Sequence, residues 1–382
     1  MRLRDFLFVI VGDILSLVPK KKQLVLFTAW RGEKYIDNTR YVYEYLLANS
    51  SYRVVWMTNN IRIFKELKSE NKPVCMFKSL RGVILQIRAE AVFSTIQFAD
   101  YNCWLLSRCK YIDLGHGHPI KDPGSVILST RSRELHKLVT DKLDYYTIVA
   151  GSRTKREYNV VDIPKERIFI SDFARNDVLF DRKLQVGKNK VVDEFKKGRK
   201  AIVYMPTQRS SGEIHMNMSV ILPLNEIELF CEQNNLCFII KKHFYHRNEK
   251  EDLTCYSNIL DITNVEDIDP QVLLCQADIL ITDYSACYID YMLLKRPLVF
   301  YQYDINEFLK KERTLYYDFE EIKIAPIVYS KEDLVPILSQ VMNSKDDYLN
   351  RRMKFAQDNY FDNINHNNGC EKVKNILDEL IK

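Results

Sequence analysis

The chain has 382 residues, 46% of them hydrophobic and 28% charged, a globular composition that excludes an intrinsically disordered chain. Its 56 basic and 51 acidic residues leave a formal net charge of +5, and no Lys/Arg stripe interleaved with aromatics stands out, which argues against a nucleic-acid partner. Such mild basicity suits anionic small molecules or an anionic membrane surface.

The first 22 residues, MRLRDFLFVIVGDILSLVPKKK, place Leu3, Leu7, Ile10, Ile14 and Leu17 three and four apart, which predicts one apolar helical stripe. The uninterrupted apolar run Phe6–Val11 falls far short of the roughly 20 residues that span a bilayer. Asp13 interrupts any signal-peptide core, and no small-x-small cleavage site follows. Two readings stay open: an interfacial helix flanked by Arg2, Arg4 and Lys20–Lys22, or a terminal helix packed on its own domain.

Downstream, short apolar runs rich in β-branched residues alternate with longer polar segments. Leu24–Phe27, Arg53–Met57, Ala91–Thr95, Tyr111–Leu114 and Tyr146–Ala150 form one series of predicted strands. Ala201–Met205, Cys237–Ile240, Asp278–Thr282 and Leu298–Tyr301 form a second. Helical segments lie between them, such as Arg40–Leu47 with Tyr41, Tyr45 and Leu46 on one side. Strands alternating with helices predict parallel sheets covered on both faces, and two series predict two doubly wound domains. The polar, lysine-rich stretch 184–200 is the expected linker. The expected divisions are a terminal helix 1–22, domains over 23–185 and 190–345, and helices over 346–382. Ligands of such folds lie at the carboxyl ends of the strands, here in a cleft between the two sheets.

Four motifs follow predicted strands. Asp113-Leu-Gly-His116-Gly-His118-Pro-Ile-Lys121 surrounds a histidine with glycines, which permits close approach to a ligand. His116 suits general-base work and Lys121 phosphate binding; the plain alternative is a loop histidine with internal partners. Tyr204-Met-Pro-Thr-Gln-Arg209 offers a guanidinium for two-point phosphate contact, or simply a surface arginine. Ile240-Lys241-Lys242-His243, with His246 beyond, is a basic strand end. Thr282-Asp283-Tyr284-Ser285 places hydroxyls and amides at a helix start, a natural anion site, although Asp283 and Ser285 also read as caps. The HxH and HxxH spacings of His116, His118, His243 and His246 are compatible with metal ligation, yet no carboxylate partner is placed, so no metal is expected. The nine cysteines form no CxxC pair; several sit in apolar runs, such as Cys237 in LCFII, and read as small buried hydrophobes, and an odd count with no framework argues for a reducing compartment. P-loop, nucleophile-elbow, zincin and dinucleotide fingerprints are missing.

On these motifs the sequence resembles the CDP-glycerol glycerophosphotransferase family of teichoic-acid and capsule synthesis. His116–Lys121 is similar to the family's HG(T)PxK element, Tyr204–Arg209 to its aromatic-x-Pro-Thr-x-Arg element, Lys241–His243 to its Lys-x-His element and Thr282–Pro297 to its Thr-Asp-Tyr-Ser block. Gly32–Asn38 and Arg175-Asn176-Asp177 resemble two further segments, so the resemblance runs in order over roughly residues 24–330. His118 stands where the family has threonine, Ala174 where it has proline, Asp172 where it has glycine and Phe244 where it has proline, and Arg313-Thr314 replaces Arg-Gly.

The resemblance implies a GT-B type α/β fold of two Rossmann-like domains, the first receiving the acceptor and the second holding the donor. It implies transfer of a polyol phosphate from CDP-glycerol or CDP-ribitol to a membrane-anchored, lipid-linked acceptor, with CMP leaving and no cofactor. His116 is then the base, with His243, Arg209, Ser285, Thr282, Asp283 and Lys121 on the donor phosphates. A peripheral position at the cytoplasmic face of the cell membrane follows. The competing reading is a GT-B glycosyltransferase or epimerase acting on a UDP-sugar.

Overall fold

The computed structural model describes residues 10, 12–106, 108–118, 120, 143–152, 154, 163–209, 215–243, 246–247, 249, 251–311, 315 and 317–382. Residues 1–9 and 11 of the expected N-terminal helix, together with Lys121, Phe244 and Arg313-Thr314, lie outside these residues. The chain divides into two compact units, one of Met1–His116, Ile127–Asp177 and His366–Lys382, the other of Gly117–Val126 and Val178–Asn365.

In the first unit, seven parallel strands form one sheet in the order β3-β2-β1-β4-β5-β6-β7. They are β1 Leu24–Phe27, β2 Arg53–Thr58, β3 Val74–Met76, β4 Ala91–Ser94, β5 Lys110–Asp113, β6 Asp144–Val149 and β7 Ile168–Ile170. All four residues of β1 and of β4 are buried, as expected of central strands covered on both faces. The second unit repeats the plan with six parallel strands in the order β10-β9-β8-β11-β12-β13. Here β8 is Lys200–Met205, β9 Leu236–Ile240, β10 Ile259–Asp261, β11 Ile279–Thr282, β12 Leu298–Tyr301 and β13 Ile327–Val328. Each sheet reverses its strand order once, between β1 and β4 and between β8 and β11. In open α/β sheets such a reversal opens a crevice beyond the strand ends.

The expected strands all form, but β3, β7, β10 and β13 were not expected. These are the four edges of the two sheets. The expected linker is also structured: Asp181 caps a turn over Arg182–Gln185, and helix Lys190–Lys196 buries Val192. Asn189 and Asp269 exchange two hydrogen bonds at its start, at 2.8 and 2.9 Å, so the polar composition there marks anchoring contacts within the second unit.

The C-terminal helices do not stay together. Helix Leu349–Asn359 belongs to the second unit, where fully buried Arg352 donates to the carbonyls of Ile324 and Arg296 at 3.1 and 3.0 Å. Helix Gly369–Leu380 returns to the first unit and packs on helix Asp37–Asn49. It buries Val373, Ile376 and Leu377, and at roughly 1.5–3 kcal/mol per buried aliphatic side chain this closure rivals a domain's net stability. Asp177 caps it, accepting from the amides of Gly369 and Cys370 at 2.8 and 2.9 Å. The described cysteines form no disulfide with one another, and burial pushes the thiols of Cys103, Cys109, Cys231 and Cys275 up to about 12.

Candidate active site

At the carboxyl ends of β1, β4 and β5 the first unit gathers a network around His116. Strand β5 ends in Asp113, whose Oδ1 accepts from Ser94 Oγ at 3.2 Å and whose Oδ2 accepts from Tyr145 at 3.2 Å. Gly115 then takes φ +61° with open space around it, so backbone freedom and not room is the reason for glycine. This turn presents His116 exposed, with its ring edge-on to Trp30 at 5.2 Å between centroids.

The ring's Nδ1 lies 3.0 Å from the carbonyl oxygen of Thr95. A carbonyl only accepts, so Nδ1 carries the hydrogen and Nε2 of the neutral ring keeps its lone pair. Thr95 is itself held by buried Asp100. Oδ2 of Asp100 accepts from Thr95 N at 2.7 Å, Thr95 Oγ1 at 3.0 Å and Ile96 N at 2.9 Å. Its Oδ1 accepts from Arg31 N at 2.6 Å. Trp30, Arg31 and Gly32 all sit at positive φ; for the two side-chain-bearing residues this costs roughly 1–2 kcal/mol each, offset by those bonds and by Thr58 donating to the Gly32 carbonyl at 2.7 Å.

Three motifs far apart in sequence meet here. Arg175 pairs with Asp37 at 2.9 Å and donates to the His116 carbonyl at 2.6 Å. Asn38 donates to the carbonyls of Leu114 and Gly115, both at 3.2 Å, and accepts from the Arg175 amide at 3.1 Å. Asp37, Asn38 and Arg175 therefore frame the loop that carries His116. Neighbouring His118 is buried in the second unit, 3.5 Å from Asp290 and edge-on to Tyr360 and Phe361, a packing position and not a ligand-facing one.

In the second unit, His243, Arg209 and the Thr282–Ser285 turn follow β9, β8 and β11, three adjacent strands, and so share one end of the sheet. Arg209 is not a surface residue: it is 5% exposed. Its Nε donates to Asp304 at 2.7 Å, its Nη2 to Asp283 at 2.7 Å and to Asp304 at 3.1 Å, and its Nη1 to the Thr207 carbonyl at 2.7 Å. Burial works against its charge, but Asp283 and Asp304 outweigh that and hold the guanidinium above its ordinary range. Asp283 also accepts from the Thr207 amide at 2.8 Å, and Thr282 donates to the Met205 carbonyl at 2.6 Å. Thr282, Asp283 and Arg209 thus tie two strand-end loops together.

Ser285 is half-buried, and the short helix Cys287–Met292 starts beyond it with Ala286 at its cap, so neither Asp283 nor Ser285 caps this helix. His243 is half-buried, and its carbonyl accepts from the His246 amide at 2.9 Å. His246 is fully buried: Nδ1 meets Glu249 at 2.7 Å, and Nε2 accepts from the Arg209 amide at 3.4 Å. Lys242, also buried, reaches the same Glu249 at 3.1 Å. Burial works to raise the Glu249 carboxyl, yet bonds from His246, Lys242 and the Met216 amide hold it below its ordinary range. Among the described residues no group of three or more His, Cys, Asp or Glu is arranged to hold a metal.

The sequence reading missed Asp100, Asp304 and Glu249. Asp304 lies 95 residues from the arginine it holds, and Asp100 lies 69 from Arg31, so no local spacing announces them.

Two doubly wound parallel sheets with polar loops at their reversal points define a GT-B type α/β enzyme. The solved structure of the wall teichoic acid polymerase TagF, in a histidine-to-alanine variant, covers 100% of this chain and 99% of its own with a TM-score of 0.78 at 20% identity. A UDP-GlcNAc 2-epimerase from Methanocaldococcus jannaschii shares the architecture more distantly, at a TM-score of 0.57 and 16% identity over 93% of this chain and 99% of its own. The chain belongs to the family described as CDP-Glycerol:Poly(glycerophosphate) glycerophosphotransferase, which matches residues 11–377. It is 26% identical over 364 residues to a teichoic acid glycerol-phosphate transferase of Staphylococcus aureus (strain NCTC 8325 / PS 47), covering 90% of each chain. A teichoic acid ribitol-phosphate primase of Bacillus spizizenii (strain ATCC 23059 / NRRL B-14472 / W23) is 25% identical over 390 residues, 96% of this chain and 93% of its own.

Proposed function

We propose that this glycerophosphotransferase moves glycerol phosphate, or a related polyol phosphate, from CDP-glycerol to a membrane-anchored, lipid-linked acceptor in teichoic acid or capsule polymer synthesis. Relatives named for glycerol-phosphate and for ribitol-phosphate transfer both align over most of the chain, which supports CDP-glycerol and CDP-ribitol as donors. The observation that carries the mechanism is the fixed tautomer of His116, whose Nδ1–H is spent on Thr95 and whose Nε2 is left as a base.

In this reading an acceptor hydroxyl gives its proton to Nε2 as its oxygen attacks the β-phosphorus. The bond from that phosphorus to the bridging oxygen breaks, and CMP leaves with the electron pair. His243, Ser285 and Lys121 are assigned to the phosphate charge. Arg209 is assigned a different part. One guanidinium against the carboxylates of Asp283 and Asp304 leaves the cluster net negative, so Arg209, Asp283 and Thr282 serve the donor by fixing the loops that carry the other groups.

We place the enzyme peripherally at the cytoplasmic face of the membrane. No helix among the described residues is long and apolar enough to cross a bilayer, while Ile14 and Leu17 are 60% and 77% exposed. Lys20 contributes less than its neighbours in sequence: its ammonium is bound to the Ile87 carbonyl at 2.7 Å, and burial lowers its pKa.

The donor test offers CDP-glycerol, CDP-ribitol and UDP-GlcNAc in turn, with a lipid-linked acceptor and mass measurement of the products. CMP release with growth of the acceptor by one polyol phosphate is expected. UDP release from the sugar nucleotide, with the CDP-polyols untouched, would overturn the assignment.

A further inference from the structure

The helix Leu80–Arg88 turns two of its large apolar side chains away from the protein. Gly82 and Gln86 face the protein: a Cβ on Gly82 would lie 2.1 Å from the Met76 carbonyl oxygen, and Gln86 is 2% exposed. The Gln86 amide donates inward, to the carbonyl of Gly82 at 3.1 Å. Ser79 caps the helix by accepting from the Gly82 amide at 3.0 Å, which fixes this rotation. Two large apolar side chains turn outward, Leu80 at 80% and Ile84 at 46% exposure, while Leu85 packs against the core of the unit and Val83 and Ile87 are half-buried. An amphipathic helix that packs only on its own domain turns its large apolar residues inward, so Leu80 and Ile84 are the exceptions on this one.

The chemistry around Leu80 and Ile84 is of one sign. The helix contains no Asp or Glu, and Lys78, Arg81 and Arg88 are exposed around its apolar pair. Its carboxyl end is joined to the N-terminal segment, where Lys20 Nζ donates to the Ile87 carbonyl at 2.7 Å and the Lys21 amide to the Arg88 carbonyl at 2.8 Å. That segment brings exposed Ile14, Leu17 and Lys22, with Asp13 as its exposed acid. Because the helix links β3 to β4, its start lies at the carboxyl ends of the strands, the side of the sheet that carries His116.

We propose that the outer face of helix Leu80–Arg88, continuous with Ile14, Leu17 and Lys22, docks on an anionic lipid surface. Leu80 and Ile84 enter the boundary between headgroups and acyl chains, and Lys78, Arg81 and Arg88 meet the phosphates. The inference rests on the peripheral-membrane reading above and assigns its contact face.

The test floats the full-length chain with phosphatidylglycerol-containing vesicles and with phosphatidylcholine vesicles. Wild type, Leu80→Gln/Ile84→Gln and Arg81→Gln/Arg88→Gln are compared, with thermal unfolding and CMP release on a soluble acceptor analogue as controls for the fold. Wild type should bind the anionic vesicles, and each double variant should lose on the order of tenfold in partitioning while unfolding and soluble turnover stay unchanged. Wild type binding with both variants equal to it would overturn this face and leave the membrane reading standing. Wild type failing to float would overturn both. Self-association that Leu80→Gln/Ile84→Gln abolishes, with vesicle binding unaffected, would instead make the face a contact between copies.

Discussion

Replacing Asp100 with asparagine tests whether His116 is a base whose tautomer is set from behind. The two oxygens of Asp100 accept four hydrogens, three on Oδ2 from Thr95 and Ile96 and one on Oδ1 from Arg31. An asparagine offers one acceptor and one NH2 group, so one side of this arrangement meets a donor. The cheaper orientation keeps the oxygen on Thr95 and Ile96 and strands the Arg31 amide, a loss of about 1–3 kcal/mol. That leaves the domain folded but loosens the turn Trp30–Gly32 and the Thr95 carbonyl that holds Nδ1 of His116. A positioned base is worth about 10²–10⁴-fold, so Asp100→Asn should lower kcat by about tenfold to a hundredfold, and His116→Ala by the full range. The informative assay is the double-mutant cycle, with CMP release followed across pH. If Asp100 acts through His116, the double variant should be no slower than His116→Ala alone. Multiplicative losses, or a pH–rate profile of Asp100→Asn that matches wild type at a uniformly lower rate, would refute the connection.

Arg209→Lys keeps the charge but not the fork, so it cannot serve Asp304, Asp283 and the Thr207 carbonyl together. Thermal unfolding should register a loss on the order of 2–5 kcal/mol, and calorimetry should show weaker CMP binding because the loops separate. Unchanged stability would contradict the buried ion-pair cluster. Glu249→Gln gives a pH signature. The Glu249 carboxyl is held below its ordinary value of 4.5, so its contribution is present above that value and is lost as pH falls through the lower folded one. The stability gap between wild type and Glu249→Gln should therefore be full near neutrality and close as pH falls below the ordinary value of 4.5. A gap that stays constant in acid would show that Glu249 titrates as an ordinary exposed carboxylate.

The central strands and the loops that follow them were legible in the sequence, because a strand covered on both faces must be apolar along its whole length. LVLF of β1 and LCFII of β9 are buried at every position and read directly as strands. The edges were not legible. VCM of β3 and IFI of β7 bury one residue each fully, and a half-buried run of three carries no pattern that separates it from a loop. The places of His116, Arg209, His243 and Ser285 in loops at strand ends were also readable, since a polar motif directly after an apolar strand falls at that strand's carboxyl end.

What those residues do was decided in three dimensions. Arg209 has the same place in the sequence whether it meets a phosphate or two carboxylates, and only the loop after β12 brings Asp304 to it. The last helix reads as an apolar stripe, but nothing in its own residues says that it returns to helix Asp37–Asn49 of the first unit. Periodicity states which side chains of Leu80–Arg88 share a face. The close approach of Gly82 to the Met76 carbonyl decides which face meets the protein. Hydrophobic pattern is a local property of the chain, whereas partner choice depends on the backbone that passes nearby, whether six residues away, as Met76 is from Gly82, or 95, as Asp304 is from Arg209.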